Sequence, residues 1–296
     1  MLKPKRLRQL LERYRVEGGK GFRLARFDPG DTAEDLVDHV HSEALLADGV
    51  RRLAALQRLL YPQDQWALLA LFQGMDASGK DGTIAHVMSG VNPQGVAVTS
   101  FKQPGAEELA HDFLWRVHKA LPRRGQIGIF NRSHYEEVLT VRLHPELLAR
   151  QHLPPALTGK KFWRNRLEDI AGFEQFLTRQ GIVVLKFFLH LSPEEQKRRF
   201  LERLDRPEKN WKFSAADIAE RAHWNAYQGA YEQAIGATAS AATPWFVVPA
   251  DHKWFTRLVV VEAMVAALEE LRLAPPEPSD EDRTRLAEAR RALEAE

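Results

Sequence analysis

Apolar runs of strand length alternate with amphipathic stretches along most of this chain. Residues 66–73 (WALLALFQ), 96–101, 127–130, 182–190 and 245–248 are short runs rich in Val, Ile, Leu and Phe. Continuous apolar runs of this length are the pattern of strands buried on both faces. Between them the period changes. In 32–61, Leu45, Leu46, Leu53, Leu56, Leu59 and Leu60 recur with charges between them, which predicts a helix that Tyr61-Pro62 ends. Further helices are predicted over 107–121, 135–148, 160–179, 193–204, 215–235 and 254–271, with Leu153-Pro154-Pro155 as a breaker. Strands separated by helices imply parallel βαβ units. The prediction is a three-layer α/β sandwich around a central parallel five-stranded sheet, occupying 31–274. Residues 1–30 read as a basic N-terminal arm that becomes loop-like around Gly18-Gly19-Lys20-Gly21. Residues 275–296 read as a charged tail opened by Pro275-Pro276-Glu277-Pro278, with a lone helix at 281–296. No internal repeat or low-complexity segment occurs.

Composition narrows the function without choosing it. The 296 residues are 44% hydrophobic and 28% charged, enough for a sizeable core. With no cysteine in the chain, a disulfide scaffold, a thiolate zinc site and a Cys nucleophile are excluded. The net charge of +2 announces no nucleic-acid partner. No apolar run approaches the ~20 residues of a membrane span. Lys3, Lys5, Arg6 and Arg8 are not followed by an apolar segment, so no secretory signal is expected. A cytoplasmic protein without membrane contact is the expectation.

The first strand runs directly into Gly74-Met75-Asp76-Ala77-Ser78-Gly79-Lys80, followed by Asp81-Gly82-Thr83. A glycine-rich turn between a strand and a helix points backbone N–H groups inward as a cradle for phosphate oxygens. Lys80 has the spacing to reach a transferred phosphoryl group. Two positions are unusual. Asp81 replaces the Ser or Thr that ordinarily holds Mg²⁺, and Asp76 puts a carboxylate inside the loop. Asp76 either holds a metal ion or takes a proton from an acceptor phosphate.

Other candidates gather at the carboxyl ends of strands, where open α/β sheets bind ligands. The third strand ends in Asn131-Arg132-Ser133-His134-Tyr135-Glu136-Glu137. Arg132 is placed to contact phosphate oxygens. Asn131 stands where P-loop enzymes usually carry a metal-holding Asp. Glu136 and Glu137 are read either as site carboxylates or as first-turn acids favoured by the helix dipole. Lys102 closes the second strand and points toward the same edge. The stretch 196–212 concentrates Lys197, Arg198, Arg199, Arg203, Arg206, Lys209 and Lys212 between two helices. Following the fourth strand of such a fold, it reads as a basic lid over about 193–214 that closes on phosphates. The eleven His show no metal-binding spacing and are read as structural.

The combination GMDASGKDGT, FKQP, IFNRSHYEEVL and RRFLERLDRPEKNWKFS, in this order, resembles the polyphosphate kinase 2 family over about residues 30–270. The Asn-Arg-Ser-His-Tyr-Glu-Glu form is similar to its class III branch; other branches carry Asp-Arg-Ser with a Tyr-Asn-Arg continuation. The resemblance implies a P-loop kinase-like fold with a helical lid. It implies reversible, direct in-line phosphoryl transfer from inorganic polyphosphate to AMP and ADP, dependent on Mg²⁺ with Mn²⁺ able to stand in. It also implies a homo-oligomer, dimer or tetramer. By matching position, Asp76, Lys80, Arg132 and a lid arginine, read as Arg199, are the implied active-site groups. Asp76 is an implied Mg²⁺ ligand. With Asn at 131, Glu137 or Glu136 is read as compensating, Glu137 as the second metal ligand. Phosphate or nucleotide contacts are assigned to Gly74, Ala77, Ser78, Gly79, Asp81, Gly82, Thr83, Lys102, Asn131, Glu136, Arg198, Lys209 and Lys212.

Two rivals share part of this pattern. An ATP-dependent nucleotide kinase of similar fold is opposed by Asp81 and the polybasic lid, which suit a long polyanionic donor. A non-catalytic P-loop scaffold is opposed by Lys80, Asp76 and Arg132 occurring together.

Overall fold

The strands of the computed structural model are β1 (Arg15–Gly18), β2 (Ala67–Gln73), β3 (Val96–Ser100), β4 (Ile127–Asn131), β5 (Ile182–His190) and β6 (Ser240–Pro249). They form one sheet in the order β1-β6-β5-β2-β4-β3. Residues 4–212 and 214–296 are described. The side chain of Lys212, one of the predicted phosphate contacts, lies outside the described residues. The five predicted strands are present and mutually parallel. β2 is buried at all seven positions, as its unbroken apolar run requires.

Helices cover both faces. Ser42–Gln63, Lys80–Val87 and Lys253–Glu270 pack on one face through Leu53, Leu60, Ile84 and Leu258. Phe162–Arg179 and Trp224–Thr238 pack on the other through Leu167, Ile170, Tyr231 and Ile235. Among the described residues, no helix is long and apolar enough to cross a membrane.

The structure departs from the sequence reading in several places. The segment read as a basic arm is folded in. Helix Pro4–Tyr14 buries Leu10, Leu11 and Tyr14, and β1 adds a sixth, antiparallel strand by pairing Arg15 with Phe246 and Val16 with Trp245. Three predicted helices are broken. In 107–121 the Asp112 carboxylate accepts from the Leu114 N–H, a local bond that competes with helix continuation. In 135–148 the Ser133 hydroxyl accepts from the Tyr135 N–H and starts a short 3-10 turn, His134–Glu137. In 215–235 a second 3-10 turn, Arg221–His223, intervenes. β6 begins earlier than its apolar core, because Ser240 continues the pairing to Gly18 of β1. The tail forms helix Asp280–Glu294, capped by Ser279 and Asp282 and exposed throughout.

One buried polar network fixes the turn after β4. Lys186, in the middle of β5, pairs with Glu174 of helix Phe162–Arg179; both are fully buried. Glu174 also accepts from the Tyr135 hydroxyl at 2.9 Å and lies 3.2 Å from His134 Nε2. Burial works against the Glu174 charge, but Lys186 and His134 hold its carboxyl below the usual range. The turn carrying Glu136 and Glu137 is thereby anchored from beneath. Lys186→Met leaves Glu174 buried without its cation, and we expect a loss of about 3–5 kcal/mol in urea unfolding, since breaking a buried pair strands the remaining charge. Adding Glu174→Gln should recover part of that loss. A single variant as stable as wild type would show that the pair does not anchor the turn.

Candidate active site

The loop 74–79 joins β2 to helix Lys80–Val87. Gly74 has φ 152°, and a Cβ there would lie 2.7 Å from Ser78 Oγ and 2.9 Å from the Leu189 carbonyl, so only glycine fits. Gly79 and Ala77 take left-handed conformations, φ 97° and 64°. For Ala77 this is backbone strain, of the kind that gathers at functional sites. The Lys80 side chain folds back over the loop. Its Nζ donates to the carbonyls of Gly74 at 2.7 Å and Met75 at 3.3 Å. Burial, and then the charge of Arg132, lowers the Lys80 ammonium to about 8.

Register sets the opposite wall. Phe72 pairs with Asn131 and Asn131 with Ser100, so β2, β4 and β3 end level with one another. Arg132 continues the ladder through its N–H to the Phe72 carbonyl and then turns at φ 62°. Its guanidinium meets the Asp76 carboxylate at 2.6 Å and lies 3.6 Å from Glu136. Burial opposes that charge, but Glu136 and Asp76 raise Arg132 above its already high range. Glu136 also accepts from Gln73 at 3.0 Å and Thr140 at 2.8 Å.

Asn131 donates its amide N–H to Asp81. An Asp at 131 would put two carboxylates in contact, so Asn131 and Asp81 are complementary departures from the usual motif. The carboxylate of this pair stands in the first turn of the helix and the amide at the strand end.

Two cavities meet at this wall. One, of about 540 Å³, is bounded by Ala77–Gly82, Asn131, Arg203, Trp211 and Asp217. The other, of about 400 Å³ and mainly apolar, extends past Phe113, Val141, Leu147 and Tyr227 and includes Glu136 and Glu137. Asp76, Phe101, Lys102 and Arg132 border both. Thus Ala77, Ser78, Gly79, Lys80, Asp81, Gly82, Lys102, Asn131 and Arg132 share the loop cavity. Thr83 is buried behind it, its N–H on the Gly79 carbonyl.

The other predicted groups lie elsewhere. Glu137 is buried at the second cavity, accepting from Gln151 at 2.8 Å and 3.2 Å from Arg166 Nε. Burial pushes its carboxyl up, with Arg166 and Gln151 acting against that. Arg199 does not project into the loop cavity. It is buried behind the loop, donating to the Ala77 carbonyl at 2.9 Å, the Ala250 carbonyl at 2.6 Å and Glu195 at 2.7 Å. Arg198 pairs with Glu195, and Lys209 with Glu202, along the predicted lid itself. Among the described residues of that lid, Arg203 is the cation bordering the loop cavity, 3.5 Å from Asp217. Sequence reading did not single out Arg203, and gave no sign of Asp217 or Trp211, whose segments reach the loop only through the fold.

Among the described residues, no cluster of three or more His, Cys, Asp or Glu could by itself hold a metal ion. Mg²⁺, however, takes one or two protein carboxylates and fills its octahedron with water and substrate phosphates. Asp76 and Asp81 beside a phosphate loop suit that mode.

Comparison with known proteins finds relatives over most of the chain. The Polyphosphate kinase 2 (PPK2) family profile matches residues 37–274. The chain is 47% identical over 284 residues to an ADP-polyphosphate phosphotransferase of Rhodopseudomonas palustris, covering 95% of this chain and 98% of that one. It is 45% identical over 268 residues to an AMP/ADP-polyphosphate phosphotransferase of Meiothermus ruber, covering 90% and 96%. The crystal structure of polyphosphate kinase 2 from Arthrobacter aurescens TC1 superimposes with a TM-score of 0.83 at 38% identity, covering 92% of this chain and 95% of that one.

The Lys80 environment makes a prediction about pH. Below about 8 Lys80 is charged, and above it the charge is lost. Calorimetric titration with tripolyphosphate should therefore show affinity falling as pH rises from 7 to 9. Lys80→Ala should weaken binding at pH 7 and flatten the fall. Equal slopes in wild type and variant would remove Lys80 as the titrating group.

Proposed function

The chain belongs to the polyphosphate kinase 2 family, and we propose that it moves the terminal phosphoryl group of inorganic polyphosphate to AMP and to ADP, giving ADP and ATP. The supporting observation is the junction of two unlike cavities across the Asp76–Arg132 pair. The loop cavity, lined by Lys80, Lys102, Arg132 and Arg203, suits the donor polyanion. The neighbouring apolar cavity suits a nucleoside. Names of relatives agree: one is an ADP and another an AMP/ADP phosphotransferase.

In this reading a phosphate oxygen of the nucleotide attacks the terminal phosphorus of the donor. The new P–O bond forms as the bond to the bridging oxygen breaks, and the polyphosphate leaves one unit shorter. No covalent enzyme intermediate is needed, because catalysis here is positioning and charge stabilisation. Lys80 binds the transferring group. Arg132, at the junction, neutralises oxygens on either side of it. Lys102 borders both cavities and screens the two polyanions from each other. Asp76, with Asp81, would hold Mg²⁺, which when bound supplies further neutralisation of the phosphate charge. Glu137 is engaged by Arg166 and Gln151 and borders the second cavity rather than the loop cavity, so the metal assignment rests on Asp76 and Asp81.

Incubation with polyphosphate, Mg²⁺ and either AMP or ADP, followed by nucleotide separation, should yield ADP and ATP respectively. Phosphorylation of AMP by ATP but not by polyphosphate would instead establish an ATP-dependent nucleotide kinase. Lys80→Ala and Asp76→Asn should each lower turnover ~10²-fold or more, the usual cost of losing a transition-state contact. Near-normal turnover in either would remove that residue from the mechanism.

A further inference from the structure

The outer side of the phosphate loop is held by an amide that serves two masters. Gln196, on helix Pro193–Asp205, is 1% exposed. Its Nε2 donates to the Asp76 carbonyl at 2.8 Å, and its Oε1 accepts from Arg221 at 2.6 Å. Arg221 begins the 3-10 turn Arg221–His223 and also reaches the Pro193 carbonyl at 3.3 Å. A guanidinium can only donate, so the Gln196 oxygen must face Arg221 and its NH₂ must face the loop. Arg221 thereby fixes which way the amide points. One turn further along the helix, Arg199 takes the next loop carbonyl, Ala77, the residue held at φ 64°.

We propose that Gln196, oriented by Arg221, is a positioning residue for phosphoryl transfer. It fixes the peptide that follows Asp76 and so the direction in which the Asp76 carboxylate meets Arg132. Gln196 lies near the start of the predicted lid, and Arg221 follows its end. One amide therefore ties both ends of that segment to the loop. The inference rests on the proposed transfer reaction for its kinetic readout, and on the loop alone for its second readout.

The test uses the full chain with Gln196→Met, Gln196→Glu, Arg221→Ala and the pair Gln196→Met/Arg221→Ala. Gln196→Glu keeps the contact with Arg221 but has no proton for the Asp76 carbonyl, so it serves if the Met variant does not fold. Each Gln196 variant should lower kcat about tenfold while KM for polyphosphate and AMP stays within about twofold, the signature of misplaced rather than missing binding groups. Arg221→Ala should lower kcat in the wild-type background but add less than about twofold to Gln196→Met, because it acts through that side chain. Hydrogen exchange of peptide 74–79 in the ligand-free protein should accelerate in the Gln196 variants. That measurement does not require turnover. If wild type fails to use polyphosphate, the proposed function falls and the exchange result still judges the latch. Wild-type kcat or unchanged loop exchange in the Gln196 variants, or the same loss from Arg221→Ala in both backgrounds, overturns the proposal.

Discussion

A loop that presents its N–H groups to a phosphate must turn its carbonyls the other way, and each of those carbonyls needs a donor. That constraint organises the centre of this molecule. The carbonyls of Gly74 and Met75 take Lys80, that of Asp76 takes Gln196, and that of Ala77 takes Arg199. A buried carbonyl without a partner costs about 1–3 kcal/mol, so a loop without these donors would relax toward another shape. With them, the loop backbone is held in one shape before any ligand arrives. Preorganised dipoles of this kind need no rearrangement as charge develops, which is what makes them effective in phosphoryl transfer.

The same constraint reassigns the basic segment after β5. Seven cations in 17 residues read as a phosphate-closing lid, yet the structure distributes them among several tasks. Arg199 is structural support for the loop, and Arg198 and Lys209 are paired with Glu195 and Glu202. Arg203 faces the cavity. A count of charges therefore overstates the field that reaches the ligand. The Asn131–Asp81 exchange makes a related point: each residue departs from the motif singly, and the two are consistent as a pair.

How much was legible follows from the range of each interaction. The strand-loop-lysine unit of β2 is local, so its spacing in the sequence carried it. The parallel sheet was legible because five apolar runs sit between amphipathic ones. β1 was not, since Arg15–Gly18 is short, polar and paired antiparallel to a strand more than 200 residues away. The helices broken at Asp112 and Ser133 were misread because side-chain bonds to the backbone override a periodic apolar pattern. Gln196 and Asp217 carry no signal in sequence, because their meaning depends on contacts across the fold. The Lys186–Glu174 pair was equally silent, a lysine inside an apolar strand with its partner 12 residues earlier.

The central claim is that the phosphoryl group crosses directly from one cavity to the other at the Asp76–Arg132 junction, without being held covalently by the protein. Stereochemical analysis of a donor with an isotopically chiral terminal phosphoryl group tests it most directly. A single in-line displacement predicts inversion of configuration at phosphorus in the nucleotide product. Retention would require two displacements through a phosphorylated side chain, and would contradict the account.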